Sequence, residues 1–495
     1  MSSVPTTSAL SLRTISLAFA VVAVIGLFFA DLEISKPNPW QELGKIGLGL
    51  LLPQVWSWRG LFESVGFTLA FALQGVAIGA VVGFLLALVY RYRLVRMLCA
   101  FLRSIHELFW ALLFMQVFGL SNLTALLALA IPYSGTLAKI YGELFEEADP
   151  AAKAALTTTS TFTISQFFYT TLPQAWPGMV SYTRYRFECA IRSSVVLGFV
   201  GLPTVGFYLD TALKQGNYGD AATLFYALIL LIVSLRWWLR TRLVPFYVVA
   251  AFIWLPPIAT IDWYLFWQFF GNDLLPAPLR GLGSISFGQW FLRLAENQLL
   301  PGVLNTLIVA QIALVLTGVL ALMWFPLNSP LFLPGWRRNL GDAVLIVIRT
   351  IPEVLLSFIF LLLVGPSMIP AILALGIHNG AIIGHLVGGT TDTLKLRDDA
   401  PTKLMRYSYE TLPRVYRQFL AFLFYRWEII MRETAMLGIL GIPTLGFYID
   451  SAFEALFFDR ALVLILATAI LNMSADQLAH FLRNRLHLKT TPESL

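Results

Sequence analysis

Charged residues are scarce in this sequence. Asp, Glu, Lys and Arg make up 13% of its 495 residues, against 58% hydrophobic residues. So few charges cannot coat the surface of a water-soluble protein of this size, which excludes a cytosolic enzyme. The apolar stretches are long rather than short and alternating, which excludes an outer-membrane barrel. The composition therefore predicts a polytopic protein of the lipid bilayer.

Residues and motifs that carry chemistry are also few. The two cysteines, Cys99 and Cys189, fall inside apolar stretches, so they indicate small buried hydrophobic residues rather than a disulfide or metal site. The isolated His106, His378 and His385 have no partners at metal-ligand spacing, and we expect no metal. Phosphate-loop, serine-hydrolase and zinc-protease motifs are missing from the sequence. We therefore expect no enzymatic activity on this chain.

The long apolar stretches predict the transmembrane helices. A helix needs roughly 20 apolar residues to cross about 30 Å of hydrocarbon. By this length the first half of the chain has six predicted spans, at residues 10–30, 65–90, 98–120, 123–144, 167–200 and 221–239. The second half has six more, at residues 244–270, 303–325, 343–364, 368–387, 419–440 and 456–474. The predicted fold is an all-α membrane protein of about 12 transmembrane helices.

The basic residues predict the orientation of these spans. The net charge of +6 comes from small basic groups between apolar runs, which is typical of cytoplasmic loops and not of nucleic-acid binding. With the amino terminus inside, the larger groups all fall on one side of the membrane; they include Arg91, Arg93, Arg96, Arg236, Arg240, Arg242, Arg337, Arg338, Arg483 and Arg485. We expect both termini in the cytoplasm.

The chain is an internal duplication. Residues 185–210 read YRFECAIRSSVVLGFVGLPTVGFYLD, and residues 425–450 read YRWEIIMRETAMLGILGIPTLGFYID, without a gap at an offset of 240 residues. Two unrelated apolar helices would not share so many identities. We predict one repeat of six spans at residues 1–243 and a second at residues 244–495. Repeats in the same orientation are related by an axis along the membrane normal, and we expect a pathway between them.

Ionisable residues recur inside the predicted spans of both repeats. Each costs about 3 kcal/mol or more at the bilayer centre unless it has a partner. Residues four apart share a helix face, so four intramembrane ion pairs are predicted. These pairs are Arg103 with Glu107, Glu188 with Arg192, Arg349 with Glu353, and Glu428 with Arg432.

Two interpretations of the intramembrane charges stay open. They are either clamps between helices or part of a substrate pathway, and guanidinium groups suit oxyanions such as phosphate or phosphonate. Few, partly neutralised arginines would bind an anion weakly enough to release it. The predicted substrate-pathway residues are Arg186, Arg192, Ser193, Arg426, Arg432 and Thr434.

A Gly- and Pro-containing run interrupts the arginine-bearing span at its outer end in each repeat. Broken backbone at membrane depth is tolerated where it lines a cavity or is buried in protein. The run is therefore either an external gate or an ordinary capped helix end. The predicted gate residues are Gly201, Pro203, Gly206, Gly441, Pro443 and Gly446.

Three motifs of the first repeat resemble the permease subunits of phosphonate/phosphite-type ABC importers. They are residues 103–114 (RSIHELFWALLF), residues 172–174 (LPQ), and the run from Tyr182 through Arg186 and Arg192 to Gly198. The resemblance covers residues 65–239 and, more weakly, residues 303–474, so the chain looks like two permeases fused head to tail. It implies a type I importer fold and one chain that supplies the whole membrane core.

The resemblance also implies partners and substrate. A periplasmic binding protein would deliver a small oxyanion to this protein of the bacterial inner membrane, and two separate ATP-binding subunits would hydrolyse ATP with Mg²⁺ to drive alternating access. No cofactor is implied on this chain itself. The ATPase subunits would contact the family's cytoplasmic coupling loop, whose positions here would be Ala154, Ser160, Leu172, Pro173, Ala400, Leu412 and Pro413.

A gradient-driven secondary transporter of an anion is the alternative function. Twelve spans in two parallel repeats would suit it equally well. It would require an unpaired membrane carboxylate, whereas Glu107, Glu188, Glu353 and Glu428 each have an arginine four residues away. The spacing therefore favours the ATP-driven permease.

Overall fold

The computed structural model describes residues 12–156, 163–258, 261–281, 285–394, 396–397 and 403–488. Every regular element within these ranges is helical, in agreement with the predicted all-α class. The α-helices of the first half are α1 (Leu12–Leu27), α2 (Pro39–Leu51), α3 (Trp58–Leu88), α4 (Arg93–Ser104), α5 (Glu107–Phe118), α6 (Asn122–Glu147), α7 (Pro150–Leu156), α8 (Thr163–Gln166), α9 (Leu172–Leu197), α10 (Val205–Lys214) and α11 (Tyr218–Trp238).

The second half of the described chain also has eleven α-helices. Its α-helices are α12 (Val244–Trp254), α13 (Trp263–Gln268), α14 (Phe287–Leu294), α15 (Leu300–Trp324), α16 (Trp336–Thr350), α17 (Glu353–Val364), α18 (Ile369–Thr390), α19 (Lys403–Met405), α20 (Leu412–Met436), α21 (Leu445–Glu454) and α22 (Phe458–Arg485). Four π turns interrupt the described chain, at Phe167–Thr171, Phe269–Asp273, Ala295–Leu299 and Arg406–Thr411.

The described helices include 6 that are each long and apolar enough to cross a membrane, and up to 10 spans if each bent helix pair counts as one. The four bent pairs are α4 with α5, α9 with α10, α16 with α17, and α20 with α21. Helices α1 and α12, with 16 and 11 residues, are apolar but shorter. The chain is thus a multi-pass membrane protein, and the number of twelve spans stays a prediction.

Three predicted spans are not continuous helices. The span predicted at residues 244–270 ends as α12 at Trp254, and α13 begins only at Trp263. The other two are broken by a sharp bend. The prediction of uninterrupted helices at residues 98–120 and 343–364 is wrong, because α4 and α5 are bent by 87° and α16 and α17 by 85°. In the second repeat the break has a simple cause: Ile351 is extended, with ψ of 123°, since the residue before a proline avoids the helical region.

The first repeat makes the same break without a proline. Ile105 is again extended, with ψ of 128°. His106 then caps α5, and its Nδ1 accepts a hydrogen bond of 3.2 Å from the backbone N–H of Leu108. The helix is therefore interrupted by a histidine cap in the first repeat and by Pro352 in the second repeat.

The chain folds into two compact units. The continuous unit comprises Leu43–Pro276, and the split unit comprises Met1–Glu42 with Ala277–Leu495. In the continuous unit Gln74 Nε2 donates to the carbonyls of Ala251 at 2.9 Å and Leu255 at 2.7 Å, which attaches α12 to α3. These two units are defined by contacts between residues in the structure. The repeat boundary at residues 243/244 is instead defined by the matching of sequence segments, and it stays a prediction.

The split unit attaches its first helix in the same way. Helix α1 packs on α15, and Gln311 Nε2 donates to the carbonyl of Phe19 at 3.0 Å. Phe19 also packs edge-on against Phe424 of α20 at 5.3 Å between ring centroids. A glutamine side chain thus anchors the short apolar helix in each unit, and Gln74 of the continuous unit is fully buried.

Glycines bring the central helices of each unit close together. In the continuous unit they lie on α3, where a Cβ on Gly75 would stand 2.6 Å from Leu129 and a Cβ on Gly83 would stand 2.9 Å from Leu137 of α6. In the split unit they lie on the other helix, α18, where Gly376 faces Leu316 of α15. Small residues permit the close packing of membrane helices. The first repeat carries these glycines on α3, whereas the second repeat carries them on α18, the partner of the helix equivalent to α3.

Candidate functional site

The predicted site is built on α9 and α20, which begin at equivalent Leu-Pro pairs. Leu172 donates its N–H to Phe167, five residues back, at the end of a π turn. Pro173 has no N–H and its ring would clash with a carbonyl in a regular α-helix, so the wider π turn accommodates it. The same arrangement recurs at Leu412-Pro413 after the π turn Arg406–Thr411.

The predicted coupling residues have different surroundings. Ala154 is exposed on α7, whereas Ser160 and Ala400 lie outside the described residues. The backbone N–H of Asp149 donates to Gln174 Oε1 at 2.9 Å, which attaches the start of this loop to α9. Contact of these positions with an ATPase stays a prediction.

The arginines of α9 contact groups on the same helix. Arg186 Nε donates to the hydroxyl of Tyr182 at 3.0 Å, and the guanidinium lies over the rings of Tyr182 at 5.0 Å and Tyr185 at 5.7 Å. Arg192 Nη2 lies 3.8 Å from Cys189 Sγ. Both arginines are half-buried. The aromatic rings therefore orient the Arg186 guanidinium while it remains partly accessible.

A buried polar cluster in the continuous unit joins α5, α6 and α9. Ser193 Oγ donates to Glu107 Oε1, and the hydroxyl of Tyr133 lies 3.2 Å from Ser193 Oγ. His106 Nε2 lies 3.8 Å from Glu107 Oε2. Glu107 is only 8% exposed, so hydrogen bonding to its carboxylate offsets much of the cost of burial.

The split unit holds a more acidic cluster at the equivalent place. Glu433 stands where the first repeat has Ser193, and Asn379 Nδ2 donates to Glu433 Oε2 at 3.4 Å. His378 Nε2 lies 3.6 Å from Oε2 of Glu353, the counterpart of Glu107. The cluster of the split unit therefore contains one carboxyl group more than the cluster of the continuous unit.

The remaining predicted pathway residue in the split unit is not accessible. Thr434 is fully buried, and its hydroxyl donates to the carbonyl of Ile430 at 2.7 Å within α20. By contrast, Ser193 is only partly buried and takes part in the cluster with Glu107.

Two of the predicted ion pairs lie across a bend between two helices. Arg103 ends α4 and Glu107 begins α5, and the bend between these helices separates the faces on which the two residues would have stacked. Arg349 and Glu353 are separated by the same kind of bend. Neither pair therefore lies on one uninterrupted helix, because Ile-His or Ile-Pro interrupts it, and pairing of the two side chains stays a prediction.

The other predicted pairs do lie within uninterrupted helices. They are Glu188 with Arg192 on α9 and Glu428 with Arg432 on α20. All four side chains are half-buried. The guanidinium groups of Arg426 and Arg432 also act electrostatically on Glu433. A substrate role for these arginines stays a prediction.

The helix is interrupted at the predicted gate, as its Gly and Pro residues indicate. Helix α9 ends at Leu197, Gly201 adopts φ of 98°, and the chain resumes as α10 with a bend of 49°. Gly441 repeats the left-handed conformation with φ of 84°. Glycine is required there because other residues adopt positive φ at a cost. Whether the break opens and closes stays a prediction.

Sequence reasoning missed three residues of the buried clusters: Tyr133, Asn379 and Glu433. Tyr133 and Asn379 lie on helices distant in sequence from α9 and α20, so spacing along one helix could not reveal them. Glu433 did leave a signal. It replaces a serine within otherwise matched repeats, and an added membrane carboxyl marks a position that needs explanation.

Comparison with known proteins identifies relatives of this chain. The family model described as "Binding-protein-dependent transport system inner membrane component" matches residues 75–240. The chain is 24% identical over 426 residues to the "Phosphate-import permease protein PhnE" of Mycolicibacterium smegmatis, and the alignment covers 79% of this chain and 77% of that protein.

Two shorter relatives match part of the chain. The "Phosphite transport system permease protein PtxC" of Stutzerimonas stutzeri is 26% identical over 231 residues, which is 45% of this chain and 84% of that protein. A cryptic phosphonate transport system permease protein, PhnE2, of Escherichia coli strain K12 is 34% identical over 118 residues, which is 24% of this chain and 96% of that protein. The short relatives are thus nearly covered by less than half of this chain.

Proposed function

Because the chain belongs to the family of binding-protein-dependent transport system inner membrane components, the permease subunits of ABC importers, we propose that it moves a phosphonate- or phosphite-like oxyanion across the membrane by alternating access. The carrying observation is the alignment along 79% of the chain with a phosphate-import permease. The names of the shorter relatives, which concern phosphite and phosphonate, support the same class of solute.

The proposal includes a defined set of partners. ATP hydrolysis takes place on two separate cytoplasmic subunits that bind ATP and Mg²⁺, and a periplasmic binding protein delivers the anion. The ATPase subunits bias the bundle by contacting its inward and outward states differently. The basic loops support this arrangement, since the positive-inside rule predicts both termini on the cytoplasmic side with the ATPases.

The arginines on α9 and α20 are the proposed groups that meet the anion during transport. Guanidinium groups recognise the oxygen atoms of phosphonates with paired hydrogen bonds. Carboxylates one turn away, Glu188 and Glu428, moderate the positive charge. Partial neutralisation keeps the affinity low, so that the anion is released on the inner side.

Reconstitution tests the transport mechanism. The chain alone, in liposomes with a proton or sodium gradient, should take up no radiolabelled phosphite or phosphonate. Uptake should appear when ATPase subunits with internal ATP and an external binding protein are added. Gradient-driven uptake by the chain alone would instead establish a secondary transporter.

A double substitution tests the arginines. Arg192→Ala with Arg432→Ala should abolish uptake while the complex with the ATPase subunits remains assembled, because two guanidinium charges are lost from the proposed route. Arg59→Ala is the control, since Arg59 pairs on the surface with Glu63 at 2.7 Å and lies outside the cluster. Dissociation of the complex in the double variant would show that these arginines are structural clamps.

A further inference from the structure

The continuous unit has an open cleft at the end of α3. Its volume is approximately 510 Å³. Ala87 and Tyr90 form one wall, Phe145 of α6 forms another, and Ile164 with Phe167 forms the third. The wall at residues 164–171 leads directly into the Leu-Pro start of α9, which is a predicted coupling position.

The register of the two repeats shows what corresponds to this cleft in the split unit. Thr68 Oγ1 accepts a hydrogen bond of 2.9 Å from the N–H of Val205. Thr306 Oγ1 accepts one of 3.1 Å from the N–H of Leu445. Helices α3 and α15 are therefore equivalent at an offset of 238 residues, set by the two threonines.

A second contact shows that the same offset persists to the end of these helices. A Cβ built on Gly142 of α6 would stand 2.8 Å from Tyr90. A Cβ built on Gly388 of α18 would stand 2.8 Å from Asn328, which is 238 residues after Tyr90. The offset therefore applies on both sides of Ala87.

The residue equivalent to Ala87 is Phe325, and it fills the corresponding space. Phe325 is fully buried and stacks on Tyr407, the counterpart of Phe167, at 5.4 Å between ring centroids. Phe332 packs edge-on against Phe325 at 6.1 Å. It comes from the segment between α15 and α16, residues 325–335, which is longer than the four-residue link 89–92 between α3 and α4.

The continuous unit has no counterpart of the Phe325 ring or of the Phe332 ring. Ala87 has no ring, and the short link cannot supply a counterpart of Phe332. Phe145 packs against Phe167 at 5.1 Å and takes up part of the space, yet the cleft remains. Large apolar side chains stand exposed on its wall, among them Ile164 at 72% and Phe168 at 52% exposure. The wall therefore offers apolar area that an occupant can cover.

We propose that this cleft is a receptor for an aromatic side chain of the ATPase subunit that docks beside it, and that this side chain takes the place that Phe325 and Phe332 occupy in the split unit. The proposal rests on the proposed function, because it requires an ATPase partner. Its ligand chemistry follows from the ring-on-ring packing that fills the equivalent space within this chain. The two coupling sites are then unequal, with a receptor on one unit only.

The position of the cleft favours a protein over a lipid as its occupant. Its lining carries one charge of each sign, Arg91 and Glu146, so it offers no net positive charge to the phosphate of a phospholipid. Its inner wall is aromatic, and aromatic side chains pack in offset or edge-on pairs of the kind seen around Phe325. Continuity with the predicted coupling residues Leu172 and Pro173 puts the ATPase subunit within reach.

Cross-linking in the assembled complex tests the occupant. A photoreactive benzoylphenylalanine at Phe168 should form an adduct with the ATPase subunit. The equivalent position in the split unit, Ser408, should form far less adduct if Phe325 and Phe332 fill the space there. An adduct with lipid alone, or the absence of an ATPase adduct from a complex that hydrolyses ATP, would overturn the proposal.

Filling the cleft tests its contribution to binding. Ala87→Phe copies Phe325 and should weaken the ATPase subunit's binding at this unit by about tenfold, the usual effect of losing an anchoring contact. Ala87→Ser is the matched control and should bind normally. An unchanged thermal midpoint would show that the fold tolerates the ring, as the split unit already does.

The outcomes separate this inference from the proposed function. If Ala87→Phe folds and binds the ATPase as the parent chain does, the receptor proposal is wrong, while ATP-driven uptake would still establish the importer. If the parent complex takes up no anion with ATP, the proposed function fails first. Reduced ATPase binding by Ala87→Phe, with normal binding by Ala87→Ser, supports the receptor.

Discussion

Gly206→Ala should disrupt the joint between α9 and α10. A Cβ at this position would stand 1.9 Å from the carbonyl oxygen of Val195 and 2.8 Å from its carbonyl carbon. These are backbone atoms, so the contact cannot be relieved by a side-chain rotation. The two helices must separate, and the hydrogen bond from Val205 N–H to Thr68, 2.9 Å long, is strained with them.

The magnitude follows from two opposing effects. Alanine gains up to about 1 kcal/mol over glycine inside a helix. Overpacking a tight contact costs about 1 to 3 kcal/mol and occasionally more, and a backbone clash lies at the upper end of that range. We therefore expect a net loss of about 1 to 2 kcal/mol.

Thermal unfolding of the purified chain in detergent measures this loss. Gly44→Ala is the matched control, because Gly44 lies in helix α2 and a Cβ there would meet nothing within 4 Å. The control should unfold at or above the parent midpoint, whereas Gly206→Ala should unfold below it. Equal midpoints for Gly206→Ala and the parent would refute the close approach on which the joint depends.

Two further substitutions test the buried polar groups. Gln74→Ala removes the donor that binds two carbonyls of α12, at 2.9 and 2.7 Å, and should cost about 1 to 3 kcal/mol of unfolding free energy; Gln116→Ala, whose amide donates only within its own helix, is the milder control. Ser193→Ala leaves Glu107 without its hydroxyl donor and should cost about 1 to 3 kcal/mol, while Ser193→Thr should retain most of the stability; equal losses for both would show that the hydroxyl is unimportant.

The general architecture follows directly from the sequence. Apolar length determines most of the spans, and the matched segments 185–210 and 425–450 reveal the equivalent helices α9 and α20. The positive-φ glycines Gly201 and Gly441 lie where the Gly-Pro runs predict an interruption. These features depend on local sequence, which is why they could be predicted.

The features that sequence reasoning missed depend on three-dimensional packing. The sharp bend before Glu107 has no proline, and its histidine cap is visible only from the hydrogen bond that His106 makes. The contacts of Ser193 with Glu107 and of Asn379 with Glu433 join distant helices, so spacing along one helix cannot predict them. The cleft beside Ala87 depends on a difference in volume between repeats, which appears only when both are folded.

We propose that one duplicated chain supplies the complete membrane core of an ATP-driven oxyanion importer. Native mass spectrometry of a complex that is actively taking up phosphite or phosphonate tests it most directly. We predict a mass that contains one copy of this chain and two ATPase subunits. A transporting complex with two copies of the chain, or one without ATPase subunits, would contradict the account.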